Sequence, residues 1–158
     1  EGLLYESLNL ASLWSVPLLI VVEDNRIAQT TPTVQALAGS MSARFTAFGI
    51  PCTELDTSDV LEIQSLSSRL VETVRLQQSP QALILHTVRF GPHSKGDDTR
   101  PEDEVARLRA ERDPLPIHAG RLAPAEQVQI ESEVEQQVAD AFARALADPF
   151  PALEEQPA

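Results

Sequence analysis

The sequence predicts an α/β fold built on a parallel sheet with crossover helices. Two observations predict it. Six patterns between residues 3 and 90 read alternately as helix and strand, and strands separated by helix-length connections pair in parallel. The run PLLIVV at residues 17–22 is also apolar without alternation, which suits a strand covered on both faces.

Each element has its own signal. In LLYESLNLASLW, residues 3–14, Leu3, Leu4, Leu8, Ala11 and Leu13 recur at helical spacing. Pro17 helps to end that helix. Residues 28–49 read as a mixed loop-and-helix region punctuated by Pro32, Gly39 and Gly49. IPCTELDTSD is a short strand running into a helix start, where Ser58 or Asp59 can cap and Glu62 follows Asp59 by three residues. That helix runs to about Gln78 with Ile63, Leu66, Leu70 and Val74 on one face. Pro80 stops it, and QALILHTVRF, residues 81–90, reads as the third strand. GPHSKGDDTRPEDE then has the composition of a functional or mobile loop. A short charged helix follows over 101–112, and a long amphipathic helix with an acidic solvent face over 123–147. The expected division is residues 1–122 as an α/β domain and 123–158 as a carboxyl-terminal helix with a proline-containing tail. No strand precedes the first helix, so the amino-terminal strands of the sheet are expected to lie outside this chain.

Composition narrows the function. Twelve basic against 24 acidic residues leave a net charge of −12, which disfavours nucleic acid and anionic membrane as partners. The chain has one cysteine, Cys52, and hence no intrachain disulfide, which fits a reducing compartment. No Cys/His spacing suggests zinc, and no apolar run is long enough to cross a bilayer.

The stretch VVEDNRIAQTTPT, residues 21–33, ends an apolar strand in two acids, an amide and an arginine. Taken alone it suits a solvated exit from the sheet, or a ligand site, since ligands of open parallel sheets bind beyond the strands' carboxyl ends. Together with EGLLYESLNLASLW it resembles the alpha subunit of the thiamine-diphosphate-dependent 2-oxo acid dehydrogenases. This is the decarboxylating first component of the pyruvate and branched-chain complexes. TVRFGPHSKGDD resembles that family's loop with a His-Ser pair before an acidic stretch, RDPLPIHAGRL its Asp-Pro segment, and ALADPFPALEE its tail.

The resemblance implies a thiamine-diphosphate-binding fold and a reaction. A 2-oxo acid is decarboxylated and its acyl group passes to a lipoyl group. It also implies Mg²⁺, held by the side-chain oxygen of Asn25 and the backbone carbonyl of Ile27, with an aspartate of an upstream GDG turn as a further ligand. Asp24 stands where the family usually has a first Asn, and its side chain is expected to point away from the metal. His93 would approach the reaction centre and serve proton or acyl transfer. Ser94 matches a position phosphorylated in some relatives, and Arg89 could order the loop by pairing with Asp97 or Asp98. His86 and His118 match no motif and are read as structural.

The implied partners are the beta subunit of a heterotetramer, which carries the activating glutamate, the amino-terminal part of the alpha subunit, and the lipoyl domain of the acyltransferase. The implied location is cytoplasmic, or the mitochondrial matrix in a eukaryote. The isolated chain is expected to be inactive. Two alternatives stand beside this reading: an acetoin-type dehydrogenase with the same motifs, and a non-catalytic remnant or interaction subunit of the same fold.

Overall fold

Leu8 and Ala11 are the buried residues of the first helix, α1 (Gly2–Leu13), in a computed structural model that describes residues 2–150. Ser15 takes a left-handed conformation (φ 50°) at its end. The Ser15 N–H donates to the Ser12 carbonyl at 3.1 Å and the Val16 N–H to Ala11 at 2.9 Å. That is a Schellman ending made without glycine, and Pro17 follows it.

The chain then forms β1 (Leu19–Asp24), a small hairpin of β2 (Ile27–Ala28) and β3 (Thr31–Pro32), and two short helices, α2 (Thr33–Ala36) and α3 (Met41–Thr46). After β4 (Cys52–Asp56) comes α4 (Val60–Gln77), capped by the Asp59 side chain, which accepts from the Leu61 N–H at 3.0 Å. β5 (Gln81–His86) completes the sheet, followed by α5 (Glu102–Arg112), α6 (Pro114–Ala119) and α7 (Pro124–Ala147).

The main sheet is parallel with the order β1-β5-β4, so the last strand lies in the middle. β5 is buried from Gln81 to Leu85, and its alternating side chains feed a core on each face. Ala82 and Ile84 pack with Leu8, Phe45 and Ile50, whereas Leu83 and Leu85 pack with Leu70 of α4. Helices therefore cover both faces, as the crossover pattern predicts.

Three expectations need correction. The strand covered on both faces is β5; β1 is an edge of the three-stranded sheet, and its Val21 is 51% exposed. The third strand stops at His86, because β1 and β4 both end in register with that residue: Asp24 and Asp56 face it from either side. Past them only the Thr87 N–H finds the sheet, donating to the Asp24 carbonyl at 2.9 Å. The β2–β3 hairpin, turned by Gln29 at φ 55°, stands at the start of a region read as mixed loop and helix, and α6 lies between two helices where no element was expected.

The chain forms two compact units, Glu1–His118 and Ala119–Ala158. In the second, α7 starts with Pro124 in its first turn and carries Gln-to-acid bonds four residues apart, such as Gln129 to Glu133 at 2.8 Å. The proline-containing tail falls mostly outside the described residues. No helix among the described residues is long and apolar enough to cross a membrane.

Ile84 is fully buried, so Ile84→Ala is expected to cost about 3 kcal/mol by lost transfer energy and cavity formation. Val21→Ala, at the half-exposed edge, should cost no more than about 1 kcal/mol. Equilibrium urea unfolding reads both; equal losses would mean that β5 is not the centre of the core.

Candidate cofactor site at the strand ends

Where β1 ends, two side chains turn back on the backbone. Asp24 Oδ1 accepts from the Arg26 N–H at 2.9 Å, and Asn25 Oδ1 accepts from the Ile27 N–H at 3.0 Å. These overlapping Asx turns let Arg26 sit at φ 66°. The Thr33 N–H closes the structure by donating to the Arg26 carbonyl at 2.8 Å. Asp24 is fully engaged: Oδ1 also lies 3.4 Å from the Thr33 hydroxyl, and Oδ2 lies 3.3 Å from His86 Nδ1. Its carboxylate is thus held by the Arg26 amide, the Thr33 hydroxyl and the His86 ring.

Asn25 and Ile27 can offer oxygens. An amide oxygen has two acceptor directions, and the Ile27 N–H occupies one. The bond from the Thr33 N–H to the Arg26 carbonyl makes Ile27 and Pro32 a non-hydrogen-bonded pair of the hairpin, so the Ile27 carbonyl points away from β3. Both residues line a cavity of about 480 Å³ together with Arg26, Thr87, Arg100 and Arg112. Among the described residues no three His, Cys, Asp or Glu side chains converge as a metal cluster. A divalent ion here would thus depend on neutral protein oxygens plus phosphate and water, the donor set that suits Mg²⁺.

Two further networks brace the strand ends. His86 bridges two carboxylates, with Nε2 2.9 Å from Glu54 Oε2 on β4 and Nδ1 on Asp24 of β1. A hydrogen bond from the Ser42 hydroxyl, then one from His86, holds the Glu54 carboxyl below its usual range. Asp56 pairs with both Arg26 and Arg112, the latter at 2.6 Å. Burial pushes the Asp56 carboxyl up, but the bonds and charges of Arg112 and Arg26 outweigh it and leave it below its usual range. Arg112 also donates to Ser58 Oγ at 3.1 Å and to the His86 carbonyl at 3.0 Å, tying α5 to the sheet. His86 was read as structural and Arg112 was not singled out, since their partners lie tens of residues away and no local pattern marks them.

The loop after β5 is ordered differently from expectation. Arg89 does not pair with Asp97 or Asp98; it donates to the Gln29 carbonyl at 2.8 Å, and its buried Nε has no partner. Arg100 takes Asp98 instead, through Nε at 2.9 Å and Nη2 at 2.7 Å. It can do so because two residues of separation let the guanidinium fork meet both carboxylate oxygens. Its Nη1 reaches the Arg89 carbonyl at 2.7 Å and its Nη2 the Gly91 carbonyl at 3.3 Å. Asp97 accepts the Ser94 N–H on both oxygens at 2.9 Å. His93 and Ser94 are exposed between these anchors. His93 is not among the residues lining the cavity of Asn25 and Ile27.

Hydrogen bonds from Arg100 bring the Asp98 carboxyl from 3.8 down to about 2. The bond favours the charged carboxylate, so its support for the loop is complete above the ordinary value and is lost as pH falls through about 2. In Arg100→Gln the Asp98 titration should return toward 3.8, read from the carboxyl carbon shift by NMR. The loop 88–98 should then be cut faster by protease at neutral pH. An unmoved titration would show that Arg100 does not hold Asp98 in solution.

The sequence profile of the family described as "Dehydrogenase E1 component" matches residues 1–154. Among curated relatives, the pyruvate dehydrogenase E1 component subunit alpha of Rhizobium meliloti is 36% identical over 164 residues, covering 98% of this chain and 47% of the relative. The corresponding subunit of Zymomonas mobilis is 34% identical, covering 98% and 46%. The mitochondrial somatic form of Bos taurus is 30% identical, covering 98% and 42%. The chain spans about half the length of the curated relatives it matches. With a parallel α/β sheet, a profile match across nearly its whole length and these relatives, this chain belongs to the dehydrogenase E1 component family, on the side of its alpha subunits.

Proposed function

We propose that the chain works within the alpha subunit of a 2-oxo acid dehydrogenase, which decarboxylates a 2-oxo acid with thiamine diphosphate and Mg²⁺ and passes the acyl group to a lipoyl group. The observation that carries this reading is the double Asx turn after β1. It fixes the Asn25 amide oxygen, and the hairpin pairing beside it turns the Ile27 carbonyl away from β3. When bound, the cofactor supplies an electron sink for the carbon left by carbon dioxide.

The chain's own residues would do the rest. Asn25 Oδ1 and the Ile27 carbonyl would hold Mg²⁺. Both are neutral, so they add no charge to a site that must also take a diphosphate. The cavity's arginines are each already paired with a carboxylate: Arg26 and Arg112 with Asp56, Arg100 with Asp98. They therefore shape the wall and temper the chain's overall acidity there. His93, exposed on an anchored loop, would carry a proton near the reacting carbon or the arriving lipoyl arm. Phosphate on Ser94 would add about −1.5 to −2 charge next to Asp97, whose oxygens hold the Ser94 N–H, and would disturb that turn. Arg89, bound to Gln29 on the hairpin, would keep the loop's root beside the metal turn. The beta subunit and the lipoyl domain of the acyltransferase are the proposed partners.

The test is Asn25→Ala in the whole alpha subunit assembled with its beta subunit. The Mg²⁺ concentration for half-maximal activity should rise at least about tenfold, and calorimetric binding of thiamine diphosphate should weaken in parallel. Unchanged Mg²⁺ dependence and unchanged binding would remove Asn25 from the metal site and the reading with it.

A further inference from the structure

The strand-end turn that carries Asn25 and Ile27 is held from a distance. We propose that His86 is a positioning residue for this turn, clamping Asp24 through Nδ1 while Glu54 braces its ring through Nε2. The inference rests on the reading of Asn25 and Ile27 as metal-holding groups.

Three observations carry it. First, the turn is a conformation that needs support: Arg26 at φ 66° and Gln29 at φ 55° are both left-handed without being glycine, and such residues persist where their surroundings over-determine them. Second, Asp24 is the hub of that support. One carboxylate oxygen takes the Arg26 N–H and approaches the Thr33 hydroxyl, and the other lies 3.3 Å from His86. A carboxylate free to rotate about its Cα–Cβ bond would release the Arg26 amide, and the Asn25 turn overlaps with that one. Third, His86 is well placed to stop the rotation. It is in register with Asp24 and Asp56 at the end of the buried central strand, so its backbone is the fixed point of the sheet. Its carbonyl is taken by Arg112 and its far nitrogen by Glu54, 2.9 Å away. The ring thus links side chains of all three strands, and groups behind a metal ligand commonly set its orientation.

A simple clasp between strands would make the same contacts, and the two roles differ in what they move. In the assembled enzyme with cofactor removed by dialysis, His86→Leu should speed hydrogen–deuterium exchange of the Arg26 and Ile27 amides at least about tenfold. Amides of β5 from Ala82 to Leu85 should stay protected. On adding Mg²⁺ and thiamine diphosphate, the same variant should need about tenfold more Mg²⁺ for half-maximal activity, with kcat at saturation falling by less than about threefold. His86→Gln, which keeps a donor for Asp24, should recover most of both effects. Glu54→Gln, at a more exposed position that the fold tolerates, should show a smaller change in the same direction. Unchanged turn exchange in both His86→Leu and Glu54→Gln overturns the proposal. So does a loss shared equally by the turn and β5, which would mark a structural clasp. Because the exchange measurement involves no metal, it separates this inference from the ligand reading. Quickened turn amides with Mg²⁺ dependence unmoved in Asn25→Ala would uphold the positioning role and reject the ligand set.

Discussion

Everything at the strand ends depends on the burial of β5 between β1 and β4. Five consecutive residues, Gln81 to Leu85, are out of water. Fully burying a Leu or Ile side chain is worth about 1.5–3 kcal/mol, so this strand cannot slip without exposing its core on both faces at once. With its register fixed, Asp24, His86 and Asp56 necessarily fall in one row. All three side chains then project to the same face, because registered residues of parallel strands point the same way. The polar row follows from the apolar strand beneath it.

That row creates a problem of backbone donors and acceptors. Parallel strands that end together leave carbonyls with no ladder partner, and such groups must find donors. The chain meets this with guanidinium groups: Arg112 on the His86 carbonyl, Arg89 on Gln29, Arg100 on Arg89 and Gly91. In a chain with only twelve basic residues against 24 acidic ones, placing these arginines here is a large local concentration. Arginine suits the task because its fork can serve a carbonyl and a carboxylate together, as Arg112 and Arg100 both do.

What was legible in the sequence follows the same division. The apolar patterns found α1, the three strands, α4 and α7, and of the two caps the sequence offered for α4, Ser58 or Asp59, the structure uses Asp59. Local patterns carry local consequences. They could not say which strand would lie in the middle, because PLLIVV and QALIL are equally apolar and only pairing decides that β1 is an edge. Nor could they find the contact between His86 and Asp24, 62 residues apart, or assign Asp98 to Arg100 rather than Arg89. The hairpin strands are two residues each, too short to show alternation. Asn25 and Ile27 were singled out through family resemblance, and the fold adds the turn that orients them.

The residue that departs from the family pattern now has a physical reading. A carboxylate free to turn at Asp24 would compete with Asn25 for a cation, adding charge beside a diphosphate. Its geometry argues otherwise. Both oxygens already have partners, namely the Arg26 amide, the Thr33 hydroxyl and the His86 ring, and turning it toward a metal would break them together. Asp24 meets a histidine on the neighbouring strand, with Glu54 beyond it, forming a short polar chain across the sheet. The charge at Asp24 is therefore used within the protein, to hold a backbone turn.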